Sequence, residues 1–170
     1  NINKISEGLL LIIGNSCPWS HRALIVHKIL NLSEEVEIIY LKSDLNRGQW
    51  LFKSNFEGCK TLNQLYKKCA RSYFFRATVP LLITNKDNKT KFISNESSEI
   101  IELLSNREND SIYKLFKIHK CSSNLFNLIN NDINNGVYKC GFARNQSSYE
   151  RASKNLFNAL NVIEKNLKEN

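Results

Sequence analysis

No apolar run in the 170 residues approaches the roughly 18 that a membrane span needs, and Asn1-Ile2-Asn3-Lys4 lacks a signal peptide's apolar segment. The chain reads as soluble. Methionine is absent even from position 1, so it also reads as a fragment of something longer. There is no internal repeat and no low-complexity linker, which leaves one substantial domain, or a small domain with a helical addition. Five cysteines make an odd number without metal-ligand spacing. That argues against a secreted disulfide scaffold and against a zinc site, and for a reducing, cytoplasmic compartment. Acidic residues are the minority, 16 against 24 Lys and Arg, for a net charge of +8. The lysines are nevertheless scattered, with no basic stripe interleaved with aromatics, so nucleic acid is not an expected partner. A basic surface suits a small anionic substrate. What is present is an ordinary globular composition, 42% hydrophobic and 24% charged, sufficient for a sizeable core.

Prolines number only two, and the first stands beside the residue on which the chemistry centres. Leu9-Leu10-Leu11-Ile12-Ile13 is a short apolar run of the kind a fully buried strand needs, and Gly14-Asn15 supplies turn chemistry to end it. Pro18 then opens a helix, since its fixed φ suits a first helical position and its missing N–H costs nothing there. Cys17 falls at the N-cap. The helix dipole favours negative charge at that point, so the thiol is expected to ionise more readily than the roughly 8.5 of a free cysteine. Cys17-Pro18-Trp19-Ser20 keeps the spacing of a Cys-x-x-Cys redox turn with serine in the second place, so a mixed disulfide on Cys17 must be resolved by an outside thiol. The competing reading is a buried, inert cysteine. His21 and Arg22, about a turn further on, read as a solvated pair on the helix face.

Leu24, Ile25, Ile29 and Leu30 continue the helix to about Asn31-Leu32, and β-branched residues over 36 to 41 predict a second strand. Strand, helix, strand makes a βαβ unit with parallel pairing. Residues 43 to 58 read as a long loop carrying Trp50 and Phe52, and 61 to 70 as a second helix. Val79-Pro80 leads into strand Leu81-Leu82-Ile83, with a hairpin turn at 85–89 into Phe92-Ile93. A proline is tolerated at a strand's start, and a cis Val79-Pro80 bond would turn the Val79 backbone toward an extended peptide. Ser94 to Glu99 opens a helix over 100 to 104; these residues suit capping, and equally the Ser97 hydroxyl and the helix N-terminus suit a ligand carboxylate. From Ile112 the period is helical only, through 135. Asn135-Gly136 reads as a stop, 137–143 as a loop, and Ser147 or Ser148 as the cap of a final helix.

The order βαβα, β-hairpin, helix, then helices only is the thioredoxin-like α/β plan with an all-α C-terminal addition, here a partial one in the form of a helical hairpin. The expected division is 1–106 and 111–170. Six segments in order resemble the glutathionyl-hydroquinone reductases, the Xi class of glutathione transferases, which is omega-like. They are Cys17-Pro18-Trp19-Ser20-His21-Arg22, the Trp50 loop, Gly58-Cys59-Lys60-Thr61-Leu62, Thr78-Val79-Pro80, Asn95-Glu96-Ser97-Ser98-Glu99-Ile100, and the run from Asn134 to Ala143.

That resemblance implies glutathione as co-substrate, no metal, and a two-step thiol exchange. Cys17 would attack the sulfur of an aromatic glutathionyl-hydroquinone and keep glutathione as a mixed disulfide, which a second glutathione resolves. The glutathione site carries over to Trp50, Arg76, Thr78, Val79 and Pro80, with Glu96 and Ser97 at the γ-glutamyl end. Tyr138 matches a tyrosine that contacts the aromatic substrate and assists proton transfer. Members of the class are homodimers and run on beyond the last helix here, so the chain is expected to be truncated at its C-terminal side. The alternative is a non-catalytic or truncated module that binds glutathione or a partner protein without turnover.

Overall fold

The computed structural model describes residues 8–69, 76–86, 89–105 and 123–169. The chain divides into two compact units, Asn1–Phe116 and Lys117–Asn170. The expected junction at 106–111 and the apolar positions Ile112, Leu115, Phe116 and Ile118 lie outside the described residues.

The first unit is built on β1 (Leu9–Gly14), every residue of which is buried. It pairs parallel with β2 (Val36–Asp44) and antiparallel with β5 (Leu81–Lys86), and so lies inside a six-stranded mixed sheet ordered β4-β3-β2-β1-β5-β6. Burial on both faces is why its sequence is a continuous apolar run and not an alternating one. Leu9, Leu11 and Ile13 pack with α1 (Pro18–Ile29) and α3 (Ser97–Ser105) through Ala23, Val26, Ile100 and Leu104. Leu10 and Ile12 face the other way, onto Leu62, Leu65 and Tyr66 of α2 (Leu62–Cys69). This is the thioredoxin-like α/β plan. The buried His27 ring ties α1 to the start of β2, its Nε2–H donating to the Val36 carbonyl at 2.8 Å. Leu11→Ala is expected to cost about 2–5 kcal/mol, because a fully buried leucine at the sheet centre leaves a cavity that two facing layers cannot close. Urea unfolding checks this as a lower midpoint at unchanged slope.

The long loop expected over 43–58 is instead a pair of strands, β3 (Gln49–Phe56) and β4 (Cys59–Thr61). β2 runs on to Asp44, and the turn to β3 is short, closed by the Arg47 N–H donating to Asp44 Oδ1 with Gly48 at φ +59°. The ladder pairs Leu41 with Phe52 and Ser43 with Trp50. Polar residues on its open face hid these strands, whose pairing comes from the neighbouring strand rather than from local pattern. Antiparallel β6 (Lys89–Ser94) completes the sheet beside β5 as expected.

The second unit is helical, with α4 (Ser123–Leu128), a π-helical turn (Ile129–Asn134), α5 (Asn135–Gly141) and α6 (Gln146–Glu169). Asn135-Gly136 therefore does not stop the helix, and most of 137–143 is α5 rather than loop. Gly136 is buried and faces Leu156 of α6, whose Cδ1 a Cβ would meet at 3.4 Å, ordinary contact distance. The α6 cap is Asn145, whose Oδ1 accepts the Ser148 N–H at 2.8 Å; neither serine supplies it.

Candidate functional site

Cys17 stands at the N-cap of α1 with extended backbone angles, φ −98° and ψ 116°. Its N–H donates to the Gly14 carbonyl at 3.0 Å, and its carbonyl accepts the His21 N–H at 3.0 Å, so the backbone on both sides of the sulfur is tied. Ser20, buried at 1% exposure, does not turn toward the cysteine. Its Oγ accepts the Gly14 N–H at 3.2 Å, which anchors the turn to the end of β1. The half-buried Sγ donates to the Val79 carbonyl at 3.3 Å. Val79-Pro80 is a cis peptide bond, so the state that sequence left open is settled.

The segment before β5 is held from two sides. Tyr66 of α2 donates its hydroxyl to the Thr78 carbonyl at 2.9 Å, and Asn95 Nδ2 donates to Thr78 Oγ1 at 3.0 Å. Glu96 and Ser97 follow Asn95 directly. Ser94 does the capping work there, its Oγ accepting the Glu96 N–H at 3.1 Å and donating to Glu99 Oε2 at 2.6 Å. Ser97 Oγ is thereby left to another partner, the Nη1 of Arg22, at 3.1 Å. On the sheet side, the Trp50 ring of β3 lies against Gly14, and exposed Arg76 donates to the Gly48 carbonyl at 3.4 Å.

The first unit thus brings Cys17 onto Val79 beside Pro80, Thr78 onto the segment leading to Glu96 and Ser97, and Trp50 onto the base of the cysteine turn. Tyr138 lies on α5 of the second unit, exposed, its ring stacked on Phe142 at 6.3 Å between centroids. Sequence reasoning missed Arg22, Ser20 and Tyr66. The Trp19-to-Arg22 spacing of three on a helix was the one available signal for Arg22; the other two bonds join residues that only folding makes neighbours. Among the described residues, no three His, Cys, Asp or Glu side chains gather as metal ligands, and no helix is long and apolar enough to cross a membrane.

The other described thiols have different surroundings. Burial pushes the Cys59 and Cys69 thiols up from their ordinary values. A buried thiol resists ionising, so at neutral pH both are expected to alkylate more slowly than a free cysteine and to quicken only as pH rises. Peptide mapping after a timed iodoacetamide exposure reads this directly. Labelling of either at the free-cysteine rate would contradict it.

Residues 16–107, more than half of the chain, match the family model for the glutathione S-transferase N-terminal domain. The chain belongs to the glutathione S-transferases. The chain is 32% identical over 168 residues to the glutathionyl-hydroquinone reductase YqjG of Escherichia coli, covering 91% of this chain and 50% of that protein. It is 29% identical over 169 residues to the glutathionyl-hydroquinone reductase PcpF of Sphingobium chlorophenolicum, covering 92% and 53%. Among solved structures, glutathione-bound YqjG superposes with a TM-score of 0.79 at 30% identity, over 95% of this chain and 56% of that one. The Xi glutathione transferase of Phanerochaete chrysosporium superposes at 0.80 and 28% identity, over 93% and 58%. The chain therefore spans about half the length of the curated relatives it matches.

Proposed function

We propose that the chain is the glutathione-binding and thiol-bearing part of a reductase of glutathionyl-hydroquinones. The observation that carries this reading is the Cys17 sulfur at a helix N-cap, 3.3 Å from the carbonyl of the residue before a cis-proline, with Ser20 where a resolving cysteine would stand. In the first step the Cys17 thiolate attacks the thioether sulfur of the conjugate. A sulfur–sulfur bond forms, the aryl carbon–sulfur bond breaks, and the aryl carbon takes up a proton, releasing hydroquinone. In the second, an external glutathione thiolate attacks the mixed disulfide, giving glutathione disulfide and regenerating the Cys17 thiolate. The two glutathionyl sulfurs supply the electrons that reduce the aromatic carbon.

In this reading residues 1–106 form the glutathione domain. Trp50 covers the tripeptide, Arg76, Thr78, Val79 and Pro80 hold its backbone, and Glu96 and Ser97 hold the γ-glutamyl end. Tyr138 serves the aromatic substrate and the proton transfer, and the protein works in the cytoplasm. The other reading is a module that binds glutathione or a partner protein without turning over.

Incubation with glutathione disulfide followed by intact mass and peptide mapping tests the site. One added glutathione, located on Cys17, is expected; an adduct elsewhere, or none, refutes the thiol exchange. Adduct formation without hydroquinone release from glutathionyl-menadiol would support the binding module instead.

A further inference from the structure

The resemblance gives Arg22 no role, yet its surroundings are those of a cation awaiting an anion. Its Nη1 donates to Ser97 Oγ at 3.1 Å, and its guanidinium carbon lies 5.3 Å from the centroid of the Trp19 ring. The side chain is half-buried, and desolvation draws its pKa below the ordinary guanidinium value. Among the described residues no carboxylate pairs with it. A partly desolvated charge with no counter-charge is costly to keep, and aromatic stacking offsets only part of that. Ser97 has a complementary deficit. Its side chain is 6% exposed, its oxygen accepts from Arg22, and no acceptor for its own proton stands among the described residues.

We propose that Arg22 is a positioning residue for the α-carboxylate of a γ-glutamyl ligand, holding Ser97 Oγ from its acceptor side so that the hydroxyl donates to that carboxylate. The uncompensated guanidinium charge behind the hydroxyl favours an anion at that spot. Because Cys17 and Arg22 share α1, one helix then sets both the sulfur and the carboxylate end of the tripeptide. This inference rests on reading the site as a glutathione site.

Calorimetric titration of wild type, R22M and S97A with two ligands tests it. One is glutathione; the other is γ-aminobutyryl-cysteinyl-glycine, the same tripeptide without the α-carboxylate. Each variant is expected to weaken glutathione at least about tenfold, the range of one charge-assisted hydrogen bond, while leaving the analogue within about twofold of wild type. Equal weakening of both ligands means that Arg22 only supports the fold, and overturns the proposal; so does no weakening of either. A wild-type chain that binds neither ligand overturns the glutathione reading itself, and this inference with it. Should R22M fail to fold, R22Q takes its place, since it removes the charge and keeps a polar side chain beside Ser97; S97A by itself reads the hydroxyl and not Arg22.

Discussion

Cys17→Ala is expected to lower reduction of glutathionyl-menadiol by at least about three orders of magnitude, because the substitution deletes the one thiol among the described residues that stands at a helix N-cap beside the cis-proline. No neighbouring side chain substitutes for it. Ser20, in the second place of the redox turn, is committed to the Gly14 N–H and is buried, so its hydroxyl is not an alternative nucleophile. Cys59→Ala, Cys69→Ala and Cys140→Ala are expected to keep most of the activity. Cys59 and Cys69 are held in the thiol form by burial, and Cys140 lies on α5 of the helical unit. Steady-state turnover of the four variants separates the possibilities. A second cysteine whose loss is as damaging as that of Cys17 would replace the single-thiol scheme by a two-thiol one. Circular dichroism guards the result: alanine at an N-cap costs about 1 kcal/mol at most sites, too little to unfold a domain with this core.

The turn around Cys17 was legible because several local signals coincide in it. A five-residue apolar run can only be a buried strand when a glycine turn and a helix-opening proline follow within a few residues, and β1, the turn and α1 start where those signals put them. β5 and β6 were legible for the same kind of reason, a short turn between β-branched runs. What failed depended on partners distant in sequence. β3 takes its strand form from pairing with β2 and shows no apolar alternation of its own. Gly136 looked like a terminator, yet the facing Leu156 makes it a contact residue within a continuing helix. At the site, the position of Cys17 could be read from its neighbours, whereas the cis bond, the Arg22–Ser97 bond and the Tyr66–Thr78 bond join segments separated by strands and helices. No periodicity encodes such pairs, and sequence alone therefore presents the Arg22 guanidinium as a solvated charge.

Gly14→Ala is expected to weaken glutathione binding at least about tenfold while leaving the fold intact, through Trp50 and not through the glycine's own backbone. A Cβ at position 14 would lie 2.4 Å from both Cζ3 and Cη2 of the Trp50 ring and 3.0 Å from Cε3. Carbon atoms rest at about 3.5–4.0 Å, so the indole must retreat by about 1 Å or more. Neither strand can yield cheaply. Trp50 is pinned opposite Ser43 in the β2–β3 ladder, and Gly14 opposite Leu41 in the β1–β2 ladder. The ring therefore has to leave its rotamer, which with the local repacking costs about 1–3 kcal/mol. Any compensating shift of Gly14 passes into the Cys17 turn through the Cys17 N–H and Ser20 Oγ bonds. A double-mutant cycle with Trp50→Ala isolates the contact. Once the indole is gone the three nearest clashes go with it, so Gly14→Ala should then cost little further in stability or affinity. If it costs as much in that background as in the wild type, the tryptophan is not the route, and the turn itself requires glycine.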